Sequence, residues 1–237
     1  MSRPVFSSLI AMVLCVLTSV SAETYTAGSA ADVMRSVVTT YQELSTYQDR
    51  GRSVQTSMLL EGEKEASRNI IQFTTLFKRC GRYRFVWTSR DNFFGKEEES
   101  SSNRFWSDGS KGWYSESSYS GKPRVSEMSF RDASAAATGI SQGTSHAIFR
   151  LLSNEVSGFR YDQLWDLRIT GSEVVSGVDS NVVRGNYSDG SSLDLWIGKR
   201  DHLIRKGVHT WLDGTTTTFE RSDIVVNVDI PDSEFRE

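Results

Sequence analysis

The most specific catalytic pattern in the sequence is Gly139-x-Ser141-x-Gly143. This is the spacing of a nucleophile elbow, in which a sharp turn between a strand and a helix exposes a serine that attacks an ester or amide carbonyl. Residues 133–138, which precede the motif, are too rich in alanine and serine for a buried strand. A glycine-flanked hinge between two helices explains the same residues. We therefore expect no enzyme activity, and a serine hydrolase using Ser141 is the alternative.

The residues that commonly bind metals or act as nucleophiles form no recognisable site. His202 and His209 are seven residues apart, and an odd separation along one strand points two side chains to opposite faces. Cys80 lies beside Lys78 and Arg79 but has no histidine nearby in sequence, so a structural or unpaired thiol is predicted. The sequence contains no P-loop, dinucleotide fingerprint or CxxC motif. We expect neither a metal nor a cofactor.

One charged residue stands out on a face that is otherwise apolar. Counting by twos along a strand places Arg79 on the same side as Phe73 and Phe77. A guanidinium at the end of an apolar face needs hydrogen-bond acceptors. It can reach solvent at the end of the strand, or it can bond the carbonyls of a helix that covers the face.

The composition limits the class of protein. The 237 residues carry 27 Lys and Arg against 30 Asp and Glu, for a net charge of −3. Neutralising a run of phosphates takes a surplus of basic residues, so we expect no nucleic-acid partner. With 38% apolar residues, the chain has the composition of a globular protein.

The first residues have the pattern of a secretory leader. Arg3 supplies a positive charge, residues 9–17 form an apolar run, and Val20-Ser21-Ala22 matches a cleavage site. The run is shorter than the ~18 apolar residues of a membrane-spanning helix. We predict a signal peptide over residues 1–22, cleaved after Ala22, and a single domain over residues 23–237. That domain keeps one cysteine, Cys80, and therefore cannot form an intramolecular disulfide.

The periodicity of the mature chain predicts one helix followed by strands. Ser29-x-x-Asp32 is a helix start, and apolar residues then recur at helical spacing over residues 30–45. After this helix the period changes to two, as expected for half-buried strands. The aromatic residues that share one parity in these strands are Phe73, Phe77, Tyr83, Phe85 and Trp87.

Turn residues predict that consecutive strands pair antiparallel. Asp-Gly pairs supply the positive φ of tight hairpins, and they occur at Asp108-Gly109, Asp189-Gly190 and Asp213-Gly214. Residues 130–137 and 144–152 have the composition of two short helices inserted between strands. The last strand is predicted to stop around Ile230, just before Pro231.

These elements predict an α+β fold. It is an incomplete antiparallel β-barrel, a strongly curved sheet, with an N-terminal helix and short mid-chain lid helices. Such a shape leaves an apolar cavity where a ligand could bind, although an ordinary core would explain any one of its aromatic residues. The candidate cavity residues are Phe73, Phe77, Tyr83, Phe85, Trp87, Trp113, Ile148, Leu151 and Leu152.

Three short motifs, in their order and spacing, resemble the periplasmic carriers of outer-membrane lipoproteins, the LolA/LolB-like family. They are Phe77-Lys78-Arg79, the aromatic strand Tyr83-Arg84-Phe85-Val86-Trp87-Thr88, and the hairpin Trp106-Ser107-Asp108-Gly109-Ser110-Lys111-Gly112-Trp113-Tyr114. The likeness extends loosely over residues 30–235. It implies an incomplete barrel lidded by helices, whose cavity receives acyl chains. Arg79 matches the family arginine that bonds the lid when closed, and Cys80 stands where the family has proline.

We therefore expect an exported, periplasmic carrier or binding protein for lipoprotein acyl chains or another lipid. The ligand would lie in an apolar cavity under a helical lid that Arg79 holds shut. Membrane-bound donor and acceptor proteins would be its partners. A serine hydrolase is one alternative, and a lipid-independent envelope sensor or interaction module is another.

Overall fold

The computed structural model describes residues 28–57, 67–93, 96–97, 101–117, 123–141, 143–144, 146–153 and 161–236. The predicted leader, with its cleavage site after Ala22, lies outside these residues. Within the described ranges, no helix has the length and hydropathy that crossing a bilayer requires.

The described chain begins with helix α1, Ala30–Glu43. The Ser29 hydroxyl accepts a hydrogen bond from the Asp32 N–H at 3.2 Å, and the Asp32 carboxylate accepts one from the Ser29 N–H at 3.1 Å. This reciprocal capping box fixes where the helix starts, as the sequence predicted. The inner face of α1 buries Ala30, Val33, Met34, Val37 and Tyr41.

Strands make up most of the remaining described chain. Their bounds are β1 (Thr46–Thr56), β2 (Arg68–Lys78), β3 (Arg82–Phe93), β4 (Lys96–Glu97), β5 (Ser101–Asp108), β6 (Gly112–Ser117), β7 (Arg124–Met128), β8 (Trp165–Val175), β9 (Val178–Asn186), β10 (Ser192–Gly198), β11 (Ile204–Thr210) and β12 (Thr216–Val226). Helices α2 (Phe130–Ile140) and α3 (His146–Leu152) lie between β7 and β8. Short 3₁₀ helices occur at Tyr161–Gln163 and Asp232–Phe235.

The strands form one sheet in the order β7-β6-β5-β3-β2-β1-β12-β11-β10-β9-β8, and β4 pairs with the end of β3. All of these pairings are antiparallel. The three predicted hairpins join β5 to β6, β9 to β10 and β11 to β12, each with its glycine at positive φ. Because β7 and β8 lie at opposite ends of the order, the described sheet is not closed.

The sheet is strongly curved, since strands far apart in its order share one core. Laid flat, eleven strands spaced about 4.8 Å apart would extend roughly 50 Å. Phe105 of β5 and Leu193 of β10 nevertheless belong to the same hydrophobic cluster as the inner face of α1. Tyr41 of α1 also accepts a hydrogen bond from the Ile204 N–H of β11 at 3.2 Å. The predicted incomplete antiparallel barrel is therefore confirmed.

The end of the last strand differs from the prediction. It ends at Val226 instead of near Ile230. Asn227 follows with a φ of 57°, and its side-chain oxygen accepts hydrogen bonds from the N–H and hydroxyl of Ser45 at 2.9 and 3.1 Å. This left-handed turn, tied to the end of α1, stops the strand four residues early.

Two local predictions also need correction. Gly139 lies inside α2, so the turn between the two short helices starts at Ser141 and not at a glycine hinge on each side. His202 does not share a strand with His209, because its φ of 54° places it in the turn before Ile204.

We predict that Gly51→Ala destabilises the fold. Gly51 lies in β1 under the Phe73 ring, and an added Cβ would overlap that ring and the Glu220 carbonyl oxygen. Since backbone cannot give way easily, we expect the free energy of unfolding in urea to fall by about 1–3 kcal/mol. Gly171→Ala is the control, because a Cβ there has no heavy atom of the described residues within 4 Å. Equal stability of the two variants would contradict the prediction.

Candidate functional site

Arg79 joins the C-terminal ends of two helices to the end of β2. Its Nε donates to the Leu44 carbonyl at 2.7 Å, and its Nη2 donates to the carbonyls of Tyr41, at 2.9 Å, and Gln42. Its Nη1 donates to the carbonyl of Leu152, which is the last residue of α3, at 3.1 Å. The sequence left open whether Arg79 reaches solvent or bonds the carbonyls of a covering helix. The structure has the second arrangement.

The chemistry of these contacts suits an arginine. The last carbonyls of a helix lack partners within the helix and carry partial negative charge, which a cation neutralises. The planar guanidinium has five donors, so one side chain can serve two helix ends at once. The next residue, Cys80, is exposed and has a φ of 69°, which proline cannot adopt.

Helix α3 is apolar nearly all round and is buried. Ala147, Ile148, Phe149, Leu151 and Leu152 are each no more than 6% exposed. A helix with this pattern has to be enclosed by other elements. It lies over the concave face of the sheet and reaches the end of α1 through Arg79.

The Phe149 ring is the central contact of α3 with the sheet. It stacks on Tyr83 with ring centroids 3.9 Å apart, and it meets Phe105 edge-on at 6.0 Å. It also meets Phe130 of α2 at 5.4 Å. One side chain therefore connects α2 and α3 to β3 and β5.

The structure places eight of the nine predicted cavity residues together. Phe73, Phe77, Tyr83, Phe85, Trp87, Ile148, Leu151 and Leu152 all belong to the main hydrophobic cluster and are at most 6% exposed. The sheet residues form the floor of the concave face, and the α3 residues form its roof. In the described structure these side chains pack on one another, so a ligand would have to take the place of α3.

Trp113 lies on the other face of the sheet. Its ring stacks on Trp106 at 5.9 Å, beside the 3₁₀ helix that carries Phe235. The alternation along β6 instead turns its neighbour Tyr114 towards the main cluster. The prediction of Trp113 as a cavity residue is therefore wrong. Side chains alternate along β6, so Trp113 faces the outer side of the sheet when Tyr114 faces the inner side.

A fully buried ion pair lies in the concave face. Arg221 of β12 donates from Nη1 to Asp49 Oδ2 of β1, and both side chains are 0% exposed. Tyr47 donates its hydroxyl to the same carboxylate oxygen at 2.6 Å. Arg221 Nη2 reaches the carbonyl of Thr144, in the connection between α2 and α3, at 3.5 Å. The pair thus touches both floor and roof.

The aromatic walls hold this pair in a dry environment. The Arg221 guanidinium lies 4.9 Å from the centre of the Phe73 ring and 5.8 Å from that of Phe219. Burial, followed by the neighbouring Asp49 carboxylate, raises the pKa of Tyr47 well above its usual value. Burial is the largest single influence on the pKa of Arg221 and would lower it, but Asp49, Tyr47 and Tyr41 together outweigh burial and leave this pKa raised.

Four residues of this site were not predicted from the sequence: Asp49, Arg221, Phe149 and Thr144. For the ion pair a signal was present, because counting by twos from Phe219 places Arg221 on the inner face, as with Arg79. Asp49 lies in β1, whose polar sequence shows no apolar alternation. Phe149 falls within the predicted second helix, between residues that were chosen as candidates.

The surroundings of Ser141 are not those of a nucleophile elbow. Ser141 follows helix α2 instead of a strand, and its backbone N–H bonds the Ala137 carbonyl at 2.9 Å. It is also 0% exposed, whereas an elbow presents its serine at the surface. Among the described residues, no three His, Cys, Asp or Glu side chains are placed to hold a metal ion.

Comparison with known proteins adds a likeness of shape. No protein-family model matches the chain, and neither does any curated protein. A chain of the Pseudomonas aeruginosa MucA/MucB complex is similar at 13% identity with a TM-score of 0.45, over 88% of this chain and 60% of that one. The chain thus spans about three fifths of the length of that relative.

Two further structures are similar over nearly their whole length. Mycobacterium tuberculosis lipoprotein LppX has 12% identity and a TM-score of 0.46, over 84% of this chain and 98% of that one. A LolA superfamily protein from Nitrosomonas europaea has 10% identity and a TM-score of 0.34, over 89% and 99%. At these values the likeness bears on neither ligand nor partner. The half-open barrel itself is established by the strand order described above.

We predict that Asp49→Ala strongly destabilises the protein. The change leaves the Arg221 charge buried without its partner, which costs about 3–5 kcal/mol of unfolding free energy. Chemical denaturation measures this loss. Glu127→Ala is the matched control, because it breaks the Lys111–Glu127 pair, in which both side chains are more than half exposed. Such surface pairs contribute less than about 1 kcal/mol, and similar losses in the two variants would refute the prediction.

Proposed function

We propose that the protein is an exported carrier or binding protein for the acyl chains of lipoproteins or of another lipid. The leader pattern in residues 1–22 supports export to the periplasm. The aromatic floor and the apolar roof support an acyl ligand, since both surfaces are hydrocarbon-like and meet face to face. No chemical step is needed for such a role.

The fastening of the roof is the observation that carries the proposal. Arg79 holds α1 and α3 at their last carbonyls, where no backbone hydrogen bond of the sheet is involved. An ordinary core helix needs partners for its own last carbonyls, but its buried area already holds it in place without a side chain that ties it to a second helix. A cover that must open and close does need one, since its packing against the floor has to be exchanged for ligand.

The energies of this exchange are of similar size. Uncovering Ile148, Phe149, Leu151 and Leu152 costs about 1.5–3 kcal/mol for each side chain. Each ligand methylene that replaces them on the floor contributes about 0.8 kcal/mol. A chain of roughly eight to fifteen methylenes therefore offsets the opening of α3. With the two terms nearly balanced, the hydrogen bonds of Arg79 decide whether the roof is closed.

We predict that Arg79→Ala speeds uptake of a pyrene-labelled methyl dodecanoate ester by about tenfold or more, since each lost bond to a charged donor contributes about 1.5–3 kcal/mol. Amide exchange should rise in α3 and in the last turn of α1. Arg79→Lys should fall between, because an ammonium cannot span two helix ends as a guanidinium does.

The control is Arg84→Ala, which removes an arginine that bonds the Glu234 carbonyl on the outer face of the sheet at 3.1 Å. It should leave uptake and exchange in α3 unchanged. If Arg79→Ala also left both unchanged, Arg79 would not hold the roof.

Native mass spectrometry of protein purified from its own cell envelope tests the function itself. A carrier should retain a bound species whose mass corresponds to an acyl lipid or lipoprotein. Ligand-free protein that also fails to take up the pyrene ester would count against carriage. That result would favour the alternative, an envelope sensor or interaction module that works without lipid.

A further inference from the structure

We propose that the concave face carries a polar subsite, centred on the Asp49–Arg221 pair beneath Thr144, which binds a neutral hydrogen-bonding group of the acyl ligand. A secondary amide or a hydroxyl fits this description. The inference rests on the proposed carrier function and names the class of ligand that the same site would take.

Polar atoms without partners define the floor of the subsite. Asp49 and Thr75 are direct cross-strand partners in β1 and β2, so their Cβ atoms lie about 5 Å apart. Counted with their backbone atoms, the two residues are 4% and 1% exposed. Within the described chain, Asp49 Oδ1 and Thr75 Oγ1 have no hydrogen-bond partner. Buried polar side chains nearly always have one, so these two atoms mark a place built for a polar group.

Arg221 extends the subsite along the floor. Its two terminal nitrogens are used by Asp49 and by the Thr144 carbonyl. Its Nε–H has no acceptor among the described residues. The floor therefore offers an acceptor, a donor and a hydroxyl that can act as either, close together on an otherwise aromatic surface.

The roof completes the subsite from above. Thr144 is 2% exposed and lies in the connection between α2 and α3. Its hydroxyl likewise lacks a partner in the part of the chain that the structure describes. Arg221 contacts the carbonyl of this residue, which places Thr144 against the ion pair. A polar group held on the floor would lie beneath Thr144, which precedes α3 in the chain and is not part of the helix that the ligand replaces.

The charges of the subsite select a neutral group. Arg221 is already balanced by Asp49, and Arg205, a second buried arginine, is paired with Asp201. A carboxylate or phosphate would bring another negative charge beside Asp49 where water is excluded, which is unfavourable. A secondary amide would instead donate its N–H to Asp49 Oδ1 or to the hydroxyl oxygen of Thr75 beside it, and its carbonyl would accept from Arg221 Nε–H.

The test compares chain-matched ligands in competition with the pyrene ester. N-methyldodecanamide has the N–H donor, N,N-dimethyldodecanamide lacks it, and dodecanoate carries a charge. We expect the secondary amide to bind about tenfold tighter than the tertiary one, as for a hydrogen bond to a charged acceptor. Dodecanoate should bind more weakly than the secondary amide.

A double variant separates the subsite from general apolar binding. Asp49→Leu with Arg221→Met replaces the ion pair by apolar side chains, an exchange that buried pairs often tolerate. It should still bind the ester, with the ratio between the two amides reduced to about one. Thr75→Val, which keeps the side-chain shape, should lower the ratio several-fold and serves if the double variant does not fold.

The outcomes distinguish the two proposals. Equal binding of the secondary and tertiary amides by the natural protein would overturn the subsite but not the carrier function. The same conclusion would follow if Thr75→Val and the double variant left the ratio of the two amide affinities unchanged. Tighter binding of dodecanoate than of the secondary amide would overturn the claim that the subsite prefers a neutral group. Failure to bind the ester and all three competitors would remove the carrier function itself.

Discussion

A wide sheet with aromatic side chains on one face has to remove that face from water, and this constraint determines the rest of the structure. Curling the sheet brings β5 and β10 into one cluster, but it leaves an opening that strands cannot cover. Helices α1, α2 and α3 fill that opening. The C-terminal ends of α1 and α3 present carbonyls at the rim, and Arg79 donates hydrogen bonds to them. Curvature and cover thus follow from a single requirement, and Arg79 adds a hydrogen-bonded tie between the helices and the sheet.

The Asp49–Arg221 pair does not follow from that requirement. Taking two charges out of water is expensive, and apolar residues of similar volume often serve stability as well or better. Its retention in the middle of an aromatic floor therefore points away from packing alone. Contact of the same guanidinium with Phe73, and with the carbonyl of Thr144, means that floor and roof share one electrostatic centre.

Local signals in the sequence predicted most of the architecture. Ser29 and Asp32 marked the first helix, three Asp-Gly turns specified antiparallel neighbours, and strict alternation identified the floor of the concave face. The edge strands β7 and β8 were not predicted, because they are largely exposed and show no apolar alternation.

Trp113 shows a second limit of prediction from sequence. Both faces of β5 and β6 bear aromatic residues, so parity could not be fixed until the pairing was known. The pairing of Asp49 with Arg221 is a third limit, because alternation can place Arg221 on the inner face but nothing local names a partner more than a hundred residues away.

The unpaired edges of the described sheet have a mechanical consequence. In a closed barrel, strand number and stagger set the diameter, so widening it means breaking backbone hydrogen bonds. Here β7 and β8 are separate rims, and among the described strands no ladder ties one to the other. Moving the rims apart changes the twist between strands and leaves every existing ladder intact. The diameter of the described sheet can therefore change without loss of strand pairing, which the fixed strand number and stagger of a closed barrel do not allow.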